Sequence, residues 1–231
     1  MTNEQVEVTP TLPPYIKYIY RVYENKKLSR FFDSDFKLGL ISFGYRKKLI
    51  QAVLREVEQS KTVLQVGATF GSQIDNVASK VGYYGNYHLV DVSKTQLDRC
   101  KKKYKGVNQN MNFSNQNGLA KINHKYDCAI SFLLLHELPH KTRKAMVENL
   151  LDTVKDGGKV VFIDYHKPEK AGILAYLFKK FNQLYRPFVE EFWEEEIQKI
   201  SAKQTNFTWH KSTMFGGFYQ KVVAIKKEKK S

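Results

Sequence analysis

The segment LQVGATFGSQ (residues 64–73) decides the fold. It begins inside TVLQV (62–66), a short run rich in branched apolar residues of the kind that forms a buried strand. A turn with two glycines, GATFGS (67–72), follows, and SQIDNVASKV (72–81) then reads as a helix. Glycine lets a backbone approach a ligand without a Cβ clash. Strand, glycine turn and helix in this order cradle nucleotide-type cofactors beyond the C-terminal ends of the strands. Two features depart from that pattern. Gln65 stands where an acid is usual, and Thr69 takes the place of a glycine.

The same alternation continues outward. NYHLVDV (86–92) reads as a strand, Lys94 to Lys103 as a helix, and NMNFSN (110–115) as a weak strand. YDCAISFLLL (126–135) is a strong buried strand, KTRKAMVENLLDTV (141–154) a helix and GGKVVFIDY (157–165) another strand. FTWHKSTMF and FYQKVVAIK flank Gly216-Gly217, a hairpin signal. Strict alternation predicts a mostly parallel sheet with helices on both faces. The closing hairpin narrows the fold class to α/β, a Rossmann-like class I methyltransferase sheet with a C-terminal antiparallel hairpin. One domain is expected over 1–231. Residues 1–14 read as a flexible lead within an N-terminal helical lid or anchor (1–58), where Leu49, Val53 and Val57 recur at helical spacing. The core then spans 59–231, with a helical insertion at about 168–200.

Composition sets limits. No apolar run approaches the roughly 20 residues of a membrane-spanning helix. MTNEQVEVTPTLPP lacks the apolar stretch of a secretory signal, and Glu4 and Glu7 argue against a transit peptide. Cys100 and Cys128 have no metal-like spacing and read as free thiols. A net charge of +15 favours a polyanionic partner, nucleic acid or anionic lipid, although lysines scattered over solvated faces give the same total.

Three further positions extend the cofactor cradle. Asp91 ends the second strand 24 residues after Gly67, about where an acid binds ribose hydroxyls in dinucleotide folds. Its plainer role is to cap the next helix, which Ser93 serves equally well. Asn117, in NQNG (115–118), stands where an amide or acid meets adenine. Tyr45, Gln65, Gly67, Thr69, Gly71, Asp91, Asn117 and Gly118 form the expected cofactor-binding set.

LQVGATFGSQ, FLLLHELPH (132–140), GGKVVFIDYHKP (157–168), FGGFYQKVVA (215–224) and, upstream, FGYRKKLIQAVL (43–54) together resemble the rhodoquinone biosynthesis methyltransferase-like family. The resemblance covers roughly residues 15–226. It implies an enzyme that makes rhodoquinone from ubiquinone with S-adenosylmethionine as amino donor and manganese (Mn2+) as the metal. Gln65 acquires a role in that chemistry. A carboxylate near the cofactor's amino group would hold it protonated and without a lone pair, whereas a neutral amide does not.

LHELPH (135–140) and DYHKP (164–168) follow strands expected to be neighbours, so His136, Glu137, Asp164 and His166 are the expected metal set, with His140 and His210 in reserve. A mixed imidazole and carboxylate set suits Mn2+, Fe2+ or Zn2+, and a metal there could polarise a quinone carbonyl. Gln65, His136 and Asp164 are the expected catalytic residues. Each has a bland alternative: a loop contact for His136, a helix cap for Glu137, a partner for Lys167 or a backbone amide for Asp164.

A ubiquinone substrate implies access to a membrane. GILAYLFKKFNQLYRPF (172–188) fits an amphipathic helix with Leu174, Leu177, Phe178, Phe181, Leu184 and Phe188 on one stripe. Tyr15, Tyr18, Tyr20 and Tyr23 offer a second, aromatic and basic anchor. The expected partners are ubiquinone and an anionic lipid surface, with no nucleic acid. The expected location is peripheral, at the bacterial inner or mitochondrial inner membrane, and the oligomeric state stays open. The competing readings are a conventional methyltransferase acting on a quinone or lipid, an RNA-binding or RNA-modifying protein, and an inactive scaffold.

Overall fold

The computed structural model describes residues 25–105, 110–168 and 172–228. Tyr15, Tyr18, Tyr20 and Tyr23 therefore lie outside the described residues, as do residues 229–231 and the lead at 1–14. Seven strands form one sheet: β1 (Thr62–Val66), β2 (Asn86–Asp91), β3 (Met111–Asn115), β4 (Tyr126–Phe132), β5 (Val154–Tyr165), β6 (Phe207–Met214) and β7 (Tyr219–Lys226). Their order is β3-β2-β1-β4-β5-β7-β6. The first five strands run parallel, and β7 is antiparallel to both β5 and β6. Gly216 and Gly217, at φ +67° and +82°, turn the final hairpin as its sequence predicts.

Nine helices flank the sheet among the described residues: α1 (Lys26–Phe32), α2 (Asp35–Ile41), α3 (Arg46–Leu54), α4 (Gln73–Val81), α5 (Lys94–Tyr104), α6 (His140–Asp152), α7 (Ile173–Tyr185), α8 (Val189–Trp193) and α9 (Ile197–Ile200). Alternation along each strand sorts side chains into two cores. Val63, Ile130 and Val161 pack with Leu49 and Val53 of α3 and Ile74 and Val77 of α4. Leu64, Ala129, Val160 and Phe162 face the other way, onto Met146, Val147 and Leu150 of α6.

Several expected elements end earlier than their sequence periodicity. The N-terminal helix is three helices, because Phe43 and Gly44 turn left-handed (φ +53° and +82°) between α2 and α3. The strand read to Leu135 stops at Phe132, because Leu133 turns left-handed (φ +52°) and Leu135–Glu137 wind into a 3-10 turn. The helix read to Val154 stops at Asp152. β-Branched Thr153 and Val154 suit a strand, and the Thr153 carbonyl accepts from the amide of Tyr126 at the start of β4. The insertion is three helices, and its apolar stripe is divided. Phe178 is buried and Phe181 partly so, whereas Leu174, Leu177 and Leu184 are exposed.

Candidate active site

The C-terminal ends of β1, β2, β4 and β5 open on one cavity, roofed by α2 and the start of α3. Gly67, Ala68, Thr69 and Phe70 form its floor, and Asp91 and Asn117 stand on its wall. Gly67 sits at φ +92°, left-handed backbone that favours glycine. Asp91 also shapes the loop. Its Oδ2 accepts from the Ala68 amide (2.6 Å) and its Oδ1 from the Ser93 amide (2.7 Å). Ser93 caps α5 by accepting from the Gln96 amide, so Asp91 is not that helix's cap. The Asn117 Oδ1 accepts from Leu119, and Gly118 is required by packing: a Cβ there would collide with Val66 Cγ1 and approach Met146 Cε to 2.9 Å.

Three members of the expected cofactor set lie off the cavity wall. Gly71 does not face the cavity. It makes room for the lid, since a Cβ there would collide with Asp35 Oδ1 and lie 2.8 Å from Leu38 Cδ1. The lid in turn caps the start of α4: Asp33 accepts from the Gly71 amide (2.7 Å) and Asp35 from the Ser72 amide (3.0 Å). Burial pushes the Asp33 carboxyl up, but the Lys103 hydrogen bond and the Arg99 charge outweigh it and hold the group below the usual carboxylate range. Tyr45 stacks on Phe215, ring centroids 4.0 Å apart, within the aromatic cluster beside the hairpin. Gln65 is fully buried, on the face of β1 opposite Leu64 and Val66. Its Nε2 donates to Gly67 O (3.1 Å) and Gln73 Oε1 (3.0 Å), while its Oε1 accepts from Gln73 Nε2 (3.0 Å) and the Tyr87 hydroxyl (2.7 Å). Both donors and both acceptor directions of the amide are thereby used inside the protein.

His136 also lines the cavity. Its Nδ1 lies 2.7 Å from Asp164 Oδ1, and both side chains are essentially buried. The adjacency of β4 and β5 brings the pair together, as the sequence predicts. Asp164 is held firmly: Oδ2 accepts from the Leu135 amide (2.8 Å) and Oδ1 from the Tyr165 amide (2.7 Å). The other ring nitrogen of His136, Nε2, receives the Arg186 Nε–H at 3.1 Å. Arg186 also donates to the Tyr165 hydroxyl (2.8 Å), and the Tyr165 ring meets the His136 ring edge-on. Burial pushes the Tyr165 phenol up, against the opposing Arg186 charge, so it stays a protonated donor.

The four expected metal ligands do not make a metal site. His166 turns its Nδ1 toward Gly217 O (3.1 Å), while a guanidinium sits on His136 Nε2 and amides fill the face of Asp164. Glu137 Oε1 is 3.9 Å from His136 Nε2. Among the described residues no three His, Cys, Asp or Glu side chains group closely enough to hold a metal ion. The reserve histidines are elsewhere: His140 pairs with Glu195 (2.6 Å) and His210 lies on edge strand β6. These donors therefore do not fit Mn2+.

Three arginines that the sequence reading did not place at the site stand in or beside the cavity. Arg46, nearly buried in the roof, donates to Phe70 O and lies 5.2 Å from the Phe132 ring centroid. Arg186 is described above. Arg143, fully buried on α6, donates to the carbonyls of Leu135 (3.1 Å) and Leu138 (2.7 Å) and pairs with Glu195 (2.6 Å). It clamps the turn that carries His136. The signal for it was a lone arginine on the apolar stripe of a helix otherwise facing the core.

A family model described as a methyltransferase domain matches residues 63–158. No curated protein matches the sequence. An O-methyltransferase family protein from Burkholderia thailandensis superposes with a TM-score of 0.66 at 13% identity over 91% of this chain. This chain spans only 63% of that protein. A SAM-dependent methyltransferase from Aquifex aeolicus gives 0.58 at 21% identity, over 79% of this chain and 93% of its own. The N-methyltransferase NodS from Bradyrhizobium japonicum WM9, solved with S-adenosyl-L-homocysteine, gives 0.60 at 12% identity, over 94% and 100%. None of the three is described as a rhodoquinone enzyme. The chain is thus built on the class I S-adenosylmethionine-dependent methyltransferase fold, with a methyltransferase domain matched over residues 63–158.

Proposed function

We propose that the protein is an S-adenosylmethionine-dependent methyltransferase whose acceptor is a hydroxyl on an apolar ring, of the quinol class. The observation that carries this reading is His136, held by Asp164, in the wall of the cavity that Gly67 and Asp91 also line. The residues present fit the cofactor: Asp91 for the ribose hydroxyls, Asn117 beside the base and the Gly67–Phe70 backbone beneath it. When bound, it supplies an electrophilic methyl group. Leu38, Ile41, Phe132 and Leu134 line the same cavity and suit an apolar ring. His136 Nε2 takes the acceptor's hydroxyl proton, and Asp164 holds the imidazole in orientation and stabilises the imidazolium formed. Arg186 gives up its hydrogen bond to His136 and offers it to the acceptor oxygen, which keeps the cation away from the new charge. Incubation with methyl-labelled cofactor and a short-chain quinol tests the reading: label appears in a product one methyl group heavier. No labelled product from any hydroxylated ring acceptor overturns it.

A second reading, amino transfer to ubiquinone giving rhodoquinone, is favoured by one observation. The strand-end position usually occupied by an acid carries a neutral amide closed on Gln73 and Tyr87, so β1 directs no carboxylate at the cofactor amine. The same incubation with ubiquinone distinguishes the two by product mass, methoxy replaced by amine against methyl gained. No step in either reading is routed through a metal.

A further inference from the structure

The cavity mouth is bordered by two helices with apolar outer faces. On α7, Ile173, Leu174, Leu177 (52% exposed) and Leu184 (74%) point outward, while Phe178 and Asn182 face the core. On α2, Phe36 (76%) and Leu40 point outward, while Leu38 and Ile41 line the cavity. The two helices are joined: Phe43, just after α2, packs on Phe178 at 5.5 Å and Phe181 at 6.4 Å. Arg186, at the C-terminal end of α7, is itself a cavity residue. The two apolar faces therefore flank the cavity.

Its charge is one-sided. Residues 26–54 hold seven lysines and arginines against two acids; Asp33 turns inward to the start of α4, and Asp35, although exposed, accepts from the Ser72 amide. α7 carries Lys179 and Lys180, both exposed, and no acid. No described helix is long and apolar enough to cross a membrane. Exposed leucines and a phenylalanine beside lysines, with cations outnumbering acids over residues 26–54 and along α7, match a helix lying in the interface of a negatively charged bilayer. A surface for a second copy of this chain would meet its own excess of positive charge.

We propose that α7 and α2 dock the protein on an anionic lipid surface with the cavity mouth facing the bilayer, so that an apolar acceptor passes from lipid to His136 without crossing water. The route to His136 rests on the transferase reading; the docking surface does not. The test is sedimentation of the full chain with phosphatidylglycerol–phosphatidylcholine vesicles and with phosphatidylcholine alone. The full chain is expected to prefer the anionic vesicles, and L177E/L184E to lower that partition at least tenfold with an unchanged melting temperature. K179Q and K180Q should each lower it about fivefold, an effect lost in high salt. Equal partition of wild type and L177E/L184E, or no vesicle binding by the wild type, overturns the proposal. So does a dimer in analytical ultracentrifugation that L177E/L184E dissolves, since a second copy would then cover the face. Calorimetric binding of S-adenosylmethionine is read separately: its absence with vesicle binding intact sinks the transferase reading alone.

Discussion

Arg186 Nε stands 3.1 Å from His136 Nε2, and this contact fixes the histidine's tautomer. A guanidinium has donors only. Nε2 must therefore carry the lone pair, and the ring proton sits on Nδ1, donated to Asp164. The lone pair is held by Arg186, itself a cavity residue, and serves a general base once Arg186 turns to the acceptor. His136→Ala should lower turnover by about 10²–10⁴-fold while leaving cofactor binding by calorimetry intact. Wild-type turnover in this variant would remove the base from the mechanism.

Arg143 should be costly to remove. It is fully buried, and Glu195 beside it would keep only the half-exposed His140 as a partner. Arg143→Met is expected to destabilise the fold by about 3–5 kcal/mol in a denaturant melt. Turnover should fall as well, because the Leu135 and Leu138 carbonyls that shape the His136 turn lose their donor.

Gln65→Glu tests stability first, because the amide is enclosed by Gln73, Tyr87 and the Gly67 carbonyl. A carboxylate there would keep Tyr87 as a donor but would face Gly67 O without a proton to offer. The expected cost is about 1–3 kcal/mol at neutral pH. Burial would raise the new carboxyl's pKa, so the folded state would bind the extra proton, and stability should fall as pH rises above the ordinary glutamate value. Melts of variant and wild type between pH 4 and 8 would show the difference widening with pH. A constant difference would mean that the network accommodates the charge.

Acid sensitivity should arise at the far end of the sheet. Burial raises the Asp127 carboxyl, but hydrogen bonds from Lys155 and from the Thr62 amide and hydroxyl outweigh it and bring the group to about 2. A depressed carboxyl stabilises the fold above its unfolded value of about 4, and that contribution is lost as pH falls from there toward 2. Because the pair with Lys155 is partly solvated, the effect should be about 1 kcal/mol or less. Asp127→Asn should flatten the acid limb of the stability curve by that amount.

Burial pushes the thiols of Cys100 and Cys128 up, to about 11 and about 12, so neither forms a thiolate at neutral pH. Iodoacetamide at pH 8 should label neither in the folded protein and both in denaturant, as read by intact mass. Labelling of the native protein would place a thiol in a more open setting than the core described above.

The sequence made the sheet legible because strand and helix periods alternate cleanly and two glycines turn the last hairpin. It also made His136 and Asp164 legible, since both follow strands that the fold makes neighbours. The position of Gln65 was misjudged although strand alternation held the clue: with Leu64 and Val66 on one face, Gln65 shares the other with Val63, where Tyr87 meets it. Arg186 was beyond reach, because it meets His136 only when α7 returns across the cavity, 50 residues later. His166 looked like a ligand by spacing, but its backbone pairs with Phe218 and its ring follows the hairpin.

The aspartates that pin the lid also set an order of events. Asp33 closes on Lys103, 70 residues downstream. On the ribosome the lid is therefore made well before α5 exists to receive it. α1 and α2, each only seven residues long, are too short to hold their shape alone in the meantime. The segment that emerges early must wait, and the cavity it roofs is among the last features of the molecule to form.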